Sequence, residues 1–362
     1  SIWKNSLAVR KNDSYEIYRN RLRDRFLSFN NNVGVLVSRI QIDLPQLTVH
    51  DLSHLDALWN IASTLLGEEN QLNPLEAFIF GGAVLLHDSA LCFEAYENGL
   101  LGIRKTTIWI DAFAKFSKDS VPKAQAEVYA DFSAVRHLHA AQAEKLLDRE
   151  WKDVSSGNSL YLLDDADLRL GVGTLIGKIA ASHHWDIDKV AIVFRNQVNA
   201  PSGFPNEWTI NPLRIACLLR CADAAHISRD RSPYFLMALL KRSGISNLHW
   251  TFQNRLSGPA LDIGDKTKST IMYTSSKDFT ESESEAWWLA YDAAKIVDCE
   301  IRDSNSILEA SPLGCPQMAV KRVKGIESPQ LFSASVSVVD WTPFRVELHV
   351  SNIGNLVKSL GG

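Results

Sequence analysis

Residues 74–88 read PLEAFIFGGAVLLHD. Between Leu75 and Leu86 the sole charged residue is Glu76. An almost unbroken apolar run of this kind exceeds the roughly 4–8 residues of a buried strand. It falls short of the roughly 20 needed to cross a bilayer. The spacing predicts a core helix, opened by Asn73-Pro74 with proline in the first turn. His87-Asp88 closes it. An imidazole and a carboxylate side by side at a helix end can reach one divalent cation together. The same pair also fits a plain helix terminus, where a histidine favours the negative end of the dipole.

Working outward, most of the chain before residue 240 has helical periodicity. Residues 15–40 carry separate charged and apolar faces, and Pro45 ends that pattern. Thr48 is expected to cap a helix through HDLSHLDALWNIASTLL (residues 50–66). Residues 124–150, 165–184, 212–228 and 233–242 read as further helices. Residues 200–211, rich in Pro, Gly and Asn, read as a connection or a lid. After Gly244 the pattern changes. NLHWTFQNRL (247–256), STIMYTSS (269–276), FSASVSVV (332–339) and FRVELHVS (344–351) alternate or carry β-branched runs. One long helix is expected between them, over residues 281–310. The fold class is therefore mainly α, a helical bundle with a smaller C-terminal α+β portion. A boundary near residues 241–247 would divide a helical domain, 1–242, from an accessory region, 243–362.

Composition narrows the function classes. Hydrophobic residues make up 46% of the 362 and charged residues 22%, which predicts a packed core and not disorder. A net charge of -4 advertises no global basic field for nucleic acid. The five cysteines include no CxxC pair, so a disulfide scaffold and a zinc ribbon are both poor readings and a reducing, cytoplasmic setting fits better. Cys217 and Cys221 sit in an apolar run and read as core. No segment reads as a signal peptide or a membrane span.

The histidines carry the chemistry. His50 and His54 are four apart and share a helix face, either at a solvated helix start or turned toward the pocket of His87. Asp223 lies inside the apolar helix RIACLLRCADAAHI (214–227), where a carboxylate is costly unless paired. A cation is one partner for it, and Arg214 or Arg220 is the other. His183 and His184 end another apolar helix, and His137 and His139 stand beside Arg136.

The ordered series His54, then His87-Asp88, then Asp223 resembles the H…HD…D signature of HD-superfamily metal-dependent phosphohydrolases. LTVHDLSHLDALW (47–59), AVLLHDSA (83–90) and LRCADAAHI (219–227) resemble its metal helices. The resemblance covers roughly residues 35–240. It implies a metal site of His54, His87, Asp88 and Asp223, with His139 and His183 similar to the extra ligands of members that hold two ions. LNPLEAF, IAASHHW, LLRCADAAHI and NLVKSLGG further resemble the bacterial HD module that precedes a chaperone-type GHKL ATPase domain. That narrower resemblance implies a longer protein and a setting of antiviral defence. One departure is Ser89-Ala90 after the HD pair, where many members carry Ile-Gly; this touches loop geometry, not a ligand.

The expected chemistry is hydrolysis of a phosphoester of a nucleotide, cyclic nucleotide or nucleic acid by metal-activated water. One or two divalent ions are expected, and the donor types do not choose among Mn, Mg, Fe, Zn and Ni. Asp88 and His50, a proton relay, are expected to act in catalysis with Arg136. Lys178, Arg214, Arg220, His184 and His226 are expected to contact substrate. Asp51 and Asp186 are expected to orient imidazoles, and Trp185 or Trp208 offers a face to a base. The alternative is a nucleotide-sensing module that signals to a following GHKL ATPase domain without turnover. A homo-oligomer is compatible with a helical module of this kind, and no membrane partner is expected.

Overall fold

The computed structural model describes residues 1–117, 121–232 and 244–344. Its architecture is mainly α with a smaller α+β part. The N-terminal helices are α1 (Ile2–Ser6), α2 (Glu16–Val37), α3 (Ile40–Asp43), α4 (Leu52–Leu66) and α5 (Pro74–Leu86). Then come α6 (Gly99–Ile103), α7 (Thr107–Phe116), α8 (Lys123–Ala143), α9 (Ala166–Ala181), α10 (Ile187–Val193) and α11 (Pro212–Ala225). The later part holds α12 (Gly244–Arg255), α13 (Ser284–Glu309) and α14 (Pro329–Ser333).

Two helices form the axis of the core. Every residue of α5 is buried, as is most of α11. The Asn73 side chain accepts from the Glu76 amide at 2.9 Å, and the Glu76 carboxylate accepts from the Asn73 amide at 3.1 Å, a reciprocal cap. The other oxygen of Glu76 accepts from the Asn211 amide at 3.0 Å, where Asn211 in turn caps α11. One buried carboxylate thus ties the starts of both central helices. The two helices then end side by side and deliver His87, Asp88 and Asp223 to one place. Helix α2 packs on α5, α4 and α13 pack on α11, and α9 packs on both central helices.

The β content is small. β1 (Trp151–Lys152) and β2 (Ser159–Leu160) form a short hairpin that the sequence reading misses. β3 (Leu256–Leu261) pairs antiparallel with β4 (Thr270–Ser275), which pairs parallel with β5 (Arg322–Val323). The strand expected at 269–276 and the helix expected at 281–310 are present.

Several local expectations are corrected. NLHWTFQNRL is helical up to Arg255, not a strand. Trp250 and Gln253, one turn apart, are both buried, so the burial follows a helical period. FSASVSVV begins in α14 and then makes only an isolated bridge, Phe279 to Val338. The cap of α4 is Asp51, which accepts from the Ser53 amide at 2.9 Å, and not Thr48. The helix expected over 124–150 stops at Ala143. Helices α6, α7 and α10 had no counterpart in the reading. The helix expected at 233–242, and all but the first residue of FRVELHVS, lie outside the described residues. So do residues 241–243 of the expected boundary at 241–247. Across it α11 and α13 pack on each other, and one hydrophobic cluster includes residues from both sides.

Gly177 shows how tightly α8 and α9 approach. A Cβ placed there would lie 2.3 Å from the Glu144 carbonyl oxygen, backbone that cannot swing aside. Gly177→Ala should destabilise the protein by about 1–3 kcal/mol through overpacking of α8 against α9. Thermal unfolding of the variant checks this, and an unchanged midpoint would contradict the close crossing.

Candidate metal centre

The site forms where helix ends meet. His87 and Asp88 leave the end of α5, Asp223 lies in the last turn of α11, and His54 stands in the first turn of α4. His139 comes from α8, and His183 from the 3-10 turn (Ser182–His184) after α9. The negative ends of α5, α9 and α11 point toward this position and favour a cation there.

The donor atoms fall into two groups. Nε2 of His87 lies 3.3 Å from Asp88 Oδ2 and 3.5 Å from Asp223 Oδ1. Nε2 of His54 lies 3.4 Å from Nε2 of His87 and 3.8 Å from the same oxygens of Asp88 and Asp223. The other oxygen of Asp88, Oδ1, lies 3.4 Å from His139 Nε2 and 3.8 Å from His183 Nε2. Those two nitrogens are 3.3 Å apart. Asp88 therefore faces a His54–His87–Asp223 group with one oxygen and a His139–His183 group with the other. The exposed His184 completes the second group, its ring centroid 4.5 Å from those of both His139 and His183.

The donors fit a divalent cation. Two ligands each about 2.1 Å from a shared ion sit roughly 3–4 Å apart, and the separations here match. Ring orientation agrees. Nδ1 of His87 donates to the Val84 carbonyl at 2.8 Å, that of His139 to Arg136 at 2.8 Å, and that of His183 to Ala180 at 2.6 Å. Each carbonyl lies three residues back on the chain. A carbonyl only accepts, so each of these rings keeps its proton on Nδ1 and turns Nε2 toward the carboxylates.

His54 is oriented differently. Its Nδ1 lies 2.6 Å from Nδ1 of the buried His226, with the rings stacked at 4.9 Å. For Nε2 of His54 to serve as a ligand, its Nδ1 must donate and His226 must accept. His226 then carries its proton on Nε2, which faces Ser228 Oγ at 3.5 Å. In that arrangement His226 supports His54, and it is itself buried.

His50 is close to the site but is not one of its ligands. Its Nδ1 donates to the Thr48 carbonyl at 2.5 Å, and its Nε2 accepts from Arg231 at 2.5 Å. It lies 3.7 Å from Asp88 Oδ2. Arg231, which with Arg229 follows His226 in the sequence, is among the positive charges that the sequence offers to a phosphate. Its Nε is buried with no hydrogen-bond partner, and the charges of Asp223 and Asp88 both act on it. The available signal was modest: an arginine five residues after His226 on a short 3-10 turn.

Other expected contacts lie elsewhere. Arg214 donates to the carbonyls of Gln71 and Asn70 at the far end of α11, away from the cluster. Arg220 pairs with Glu300 at 2.9 Å and donates to the Ser182 and Trp185 carbonyls at 2.6 Å. It braces the turn that carries His183 and His184, and four of its five N–H groups are committed there and to Glu300. Neither arginine pairs with Asp223. No hydrogen bond or ion pair among the described residues joins Lys178 to the cluster. Arg136 is exposed one turn from His139. Asp51 caps α4, and Asp186 is exposed, so neither orients an imidazole. Trp185 has Phe194 stacked at 5.8 Å and the Lys189 ammonium 3.9 Å from its centroid. Trp208 packs among Tyr15, Tyr18 and Phe204.

Burial and neighbouring charges set the protonation of the cluster without a cation. Burial pushes the imidazoles of His183 and His226 down to about 3 and His50 down to about 4, with Arg231 adding to the effect on the last two. His54 falls well below its ordinary value by burial and by Arg231. His87 is the exception. Against its burial, Asp88 and Asp223 hold its proton and raise it well above the usual value. Despite burial, His87 keeps Asp223 down to about 2. A positive charge is already drawn to the position between the carboxylates.

Two outcomes follow. His226→Ala should weaken Mn²⁺ binding about 10–100-fold through loss of the His54 support, read by metal titration; unchanged affinity would remove His226 from that role. In the metal-free protein, His50, His54, His183 and His226 take up protons on unfolding wherever pH lies below the unfolded value of about 6.5. Their stabilising contribution is present above that value and drains away as pH falls toward their folded values. His139 and His184, also lowered by burial, act with these four, and His87 acts in the opposite sense. The melting temperature of the metal-free protein should therefore fall from about pH 7.5 to about pH 5, and a rise would contradict the assignment.

The family model of HD-CE matches residues 44–303, well over half of the 362-residue chain. No curated protein and no solved structure matches it. No helix among the described residues is long and apolar enough to cross a membrane. The matched span holds every residue of both donor groups, and it runs on through most of α13. The chain belongs to the HD-CE family, with an HD-type helical domain whose buried histidines and aspartates can hold a metal ion.

Proposed function

We propose that the chain is a metal-dependent phosphohydrolase that cleaves a phosphoester of a nucleotide, cyclic nucleotide or nucleic acid. The observation that carries this reading is the two-sided Asp88 carboxylate, with Oδ2 toward His54 and His87 and Oδ1 toward His139 and His183. A shared carboxylate between two donor groups is the arrangement that places two divalent ions side by side. His54, His87, Asp88 and Asp223 would hold one ion; Asp88, His139, His183 and His184 would hold the other. Divalent ions bound there supply Lewis acidity to a phosphoryl oxygen and to an attacking water.

The chain's own groups supply the rest. Arg231 presents a buried guanidinium whose Nε is unpartnered, so it can bind a phosphoryl oxygen without displacing an existing hydrogen bond on that nitrogen. His50 fixes its position by accepting from NH2. With its proton on Nδ1 and committed to Thr48, His50 serves better as an anchor for Arg231 than as a proton relay. Asp223, with 24% of its side chain exposed, stands on the open side of the site together with His184. Substrate would approach from there.

The test uses the purified chain with Mn²⁺ and bis(p-nitrophenyl) phosphate. Asp88→Ala should lose both bound metal and turnover, because it removes a ligand from each group. Arg231→Lys should keep the metal and lose about 10–100-fold in kcat, since an ammonium replaces the charge but not the planar fork. Metal uptake by the parent protein with no turnover of this or any nucleotide phosphoester would defeat the proposal.

A further inference from the structure

An open groove of about 590 Å³ lies between α7 and α8. Phe116, Tyr129, Phe132 and His137 line it together with Arg136. Phe116 and Tyr129 meet with centroids 5.5 Å apart, and the Arg136 guanidinium lies 5.8 Å from the centre of Phe132. No carboxylate pairs with Arg136 among the described residues. This separates it from the arginines that only brace the fold, such as Arg104, which pairs with Asp131 at 2.7 Å. The volume falls within the range of sites for small organic ligands.

Its place relative to the donor groups follows from helix geometry. Phe132, Arg136 and His139 stand at i, i+4 and i+7 of α8 and share one face. Phe132 and His139 are roughly 10 Å apart along the helix, with Arg136 between them. His139 faces Asp88 Oδ1. An aromatic groove, an unpaired arginine and the donor cluster therefore lie in a row. Trp185 and Trp208 pack against neighbours of their own, and Tyr129 and Phe132 are the groove rings carried by the same helix as His139.

We propose that the α7–α8 groove takes the base of a nucleoside phosphate whose phosphoryl group lies at Asp88, with Arg136 bridging the two. Planar bases stack on aromatic faces with little dependence on sequence, and an arginine adds a cation over the ring and a donor for phosphate. The proposal rests on the phosphohydrolase reading for the phosphoryl end only.

The experiment compares two probes on the Mn²⁺-loaded chain: the 5′-methylene phosphonate analogues of AMP and of ribose 5-phosphate, which differ by the base and resist cleavage. The AMP analogue should bind at least about tenfold tighter, the scale of one base–aromatic stack. Phe132→Leu, which keeps apolar bulk, and Tyr129→Ala, at a partly exposed ring, should each bring the ratio toward one. Metal content and affinity for the ribose analogue should stay unchanged in both. Equal affinities in the parent protein, or a ratio that survives both substitutions, would overturn the proposal. A (dA)5 oligonucleotide that binds tighter than the mononucleotide analogue places the nucleoside phosphate within a strand, and weaker binding makes it a free nucleotide; either result keeps the groove in use. Failure of the phosphohydrolase reading is seen separately, as absent Mn²⁺ uptake or absent turnover.

Discussion

The burial of the Asp88 carboxylate is the constraint on which the rest of the site depends. An ionised carboxylate in a helical core costs several kcal/mol unless positive charge and hydrogen bonds compensate it. The fold brings imidazoles to both of its oxygens and adds Asp223, a second negative charge, close by. Two carboxylates so near each other repel, and His87 is held protonated between them as the nearest available cation. An arrangement unfavourable without a positive charge at its centre is well suited to bind one.

The scaffold meets this demand with backbone, not with further acids. Carbonyls three residues upstream fix the Nδ1 protons of His87, His139 and His183. The Val84 and Ala180 carbonyls belong to the last turns of α5 and α9, where acceptors are in surplus, and that of Arg136 lies within α8. At the two helix ends the same atoms finish the helix and set the tautomer. His54, at a helix start where no such carbonyl is spare, uses His226 instead.

Two buried ion pairs or carboxylate clamps tie remote parts of the chain to this centre. Glu76 holds the starts of α5 and α11 in register, so their ends arrive together. Arg220 links Glu300 on α13 to the turn of His183 and His184. The later helix is thereby part of the support of the second donor group, in keeping with a family match that extends through most of it.

By itself the sequence determined the helices with strong periodicity and clear ends, α5 with Asn73-Pro74 and its capping glutamate above all. It also marked the candidate metal-binding residues, since the His54, His87-Asp88 and Asp223 series stands out at the ends or starts of apolar helices. Short-range pattern was not enough where two periods agree with the same residues: Leu248, Trp250 and Phe252 alternate like a strand yet lie on α12, because packing against neighbouring elements outweighs local β propensity. Nor does one-dimensional pattern say where a long side chain ends. Arg214, Arg220 and Arg231 all neighbour Asp223 along the chain, and only tertiary structure sends the first two to distant carbonyls and Glu300 and the third to His50 beside Asp88. The sharing of Asp88 between two donor groups is likewise a property of five chain segments meeting, which no single segment encodes.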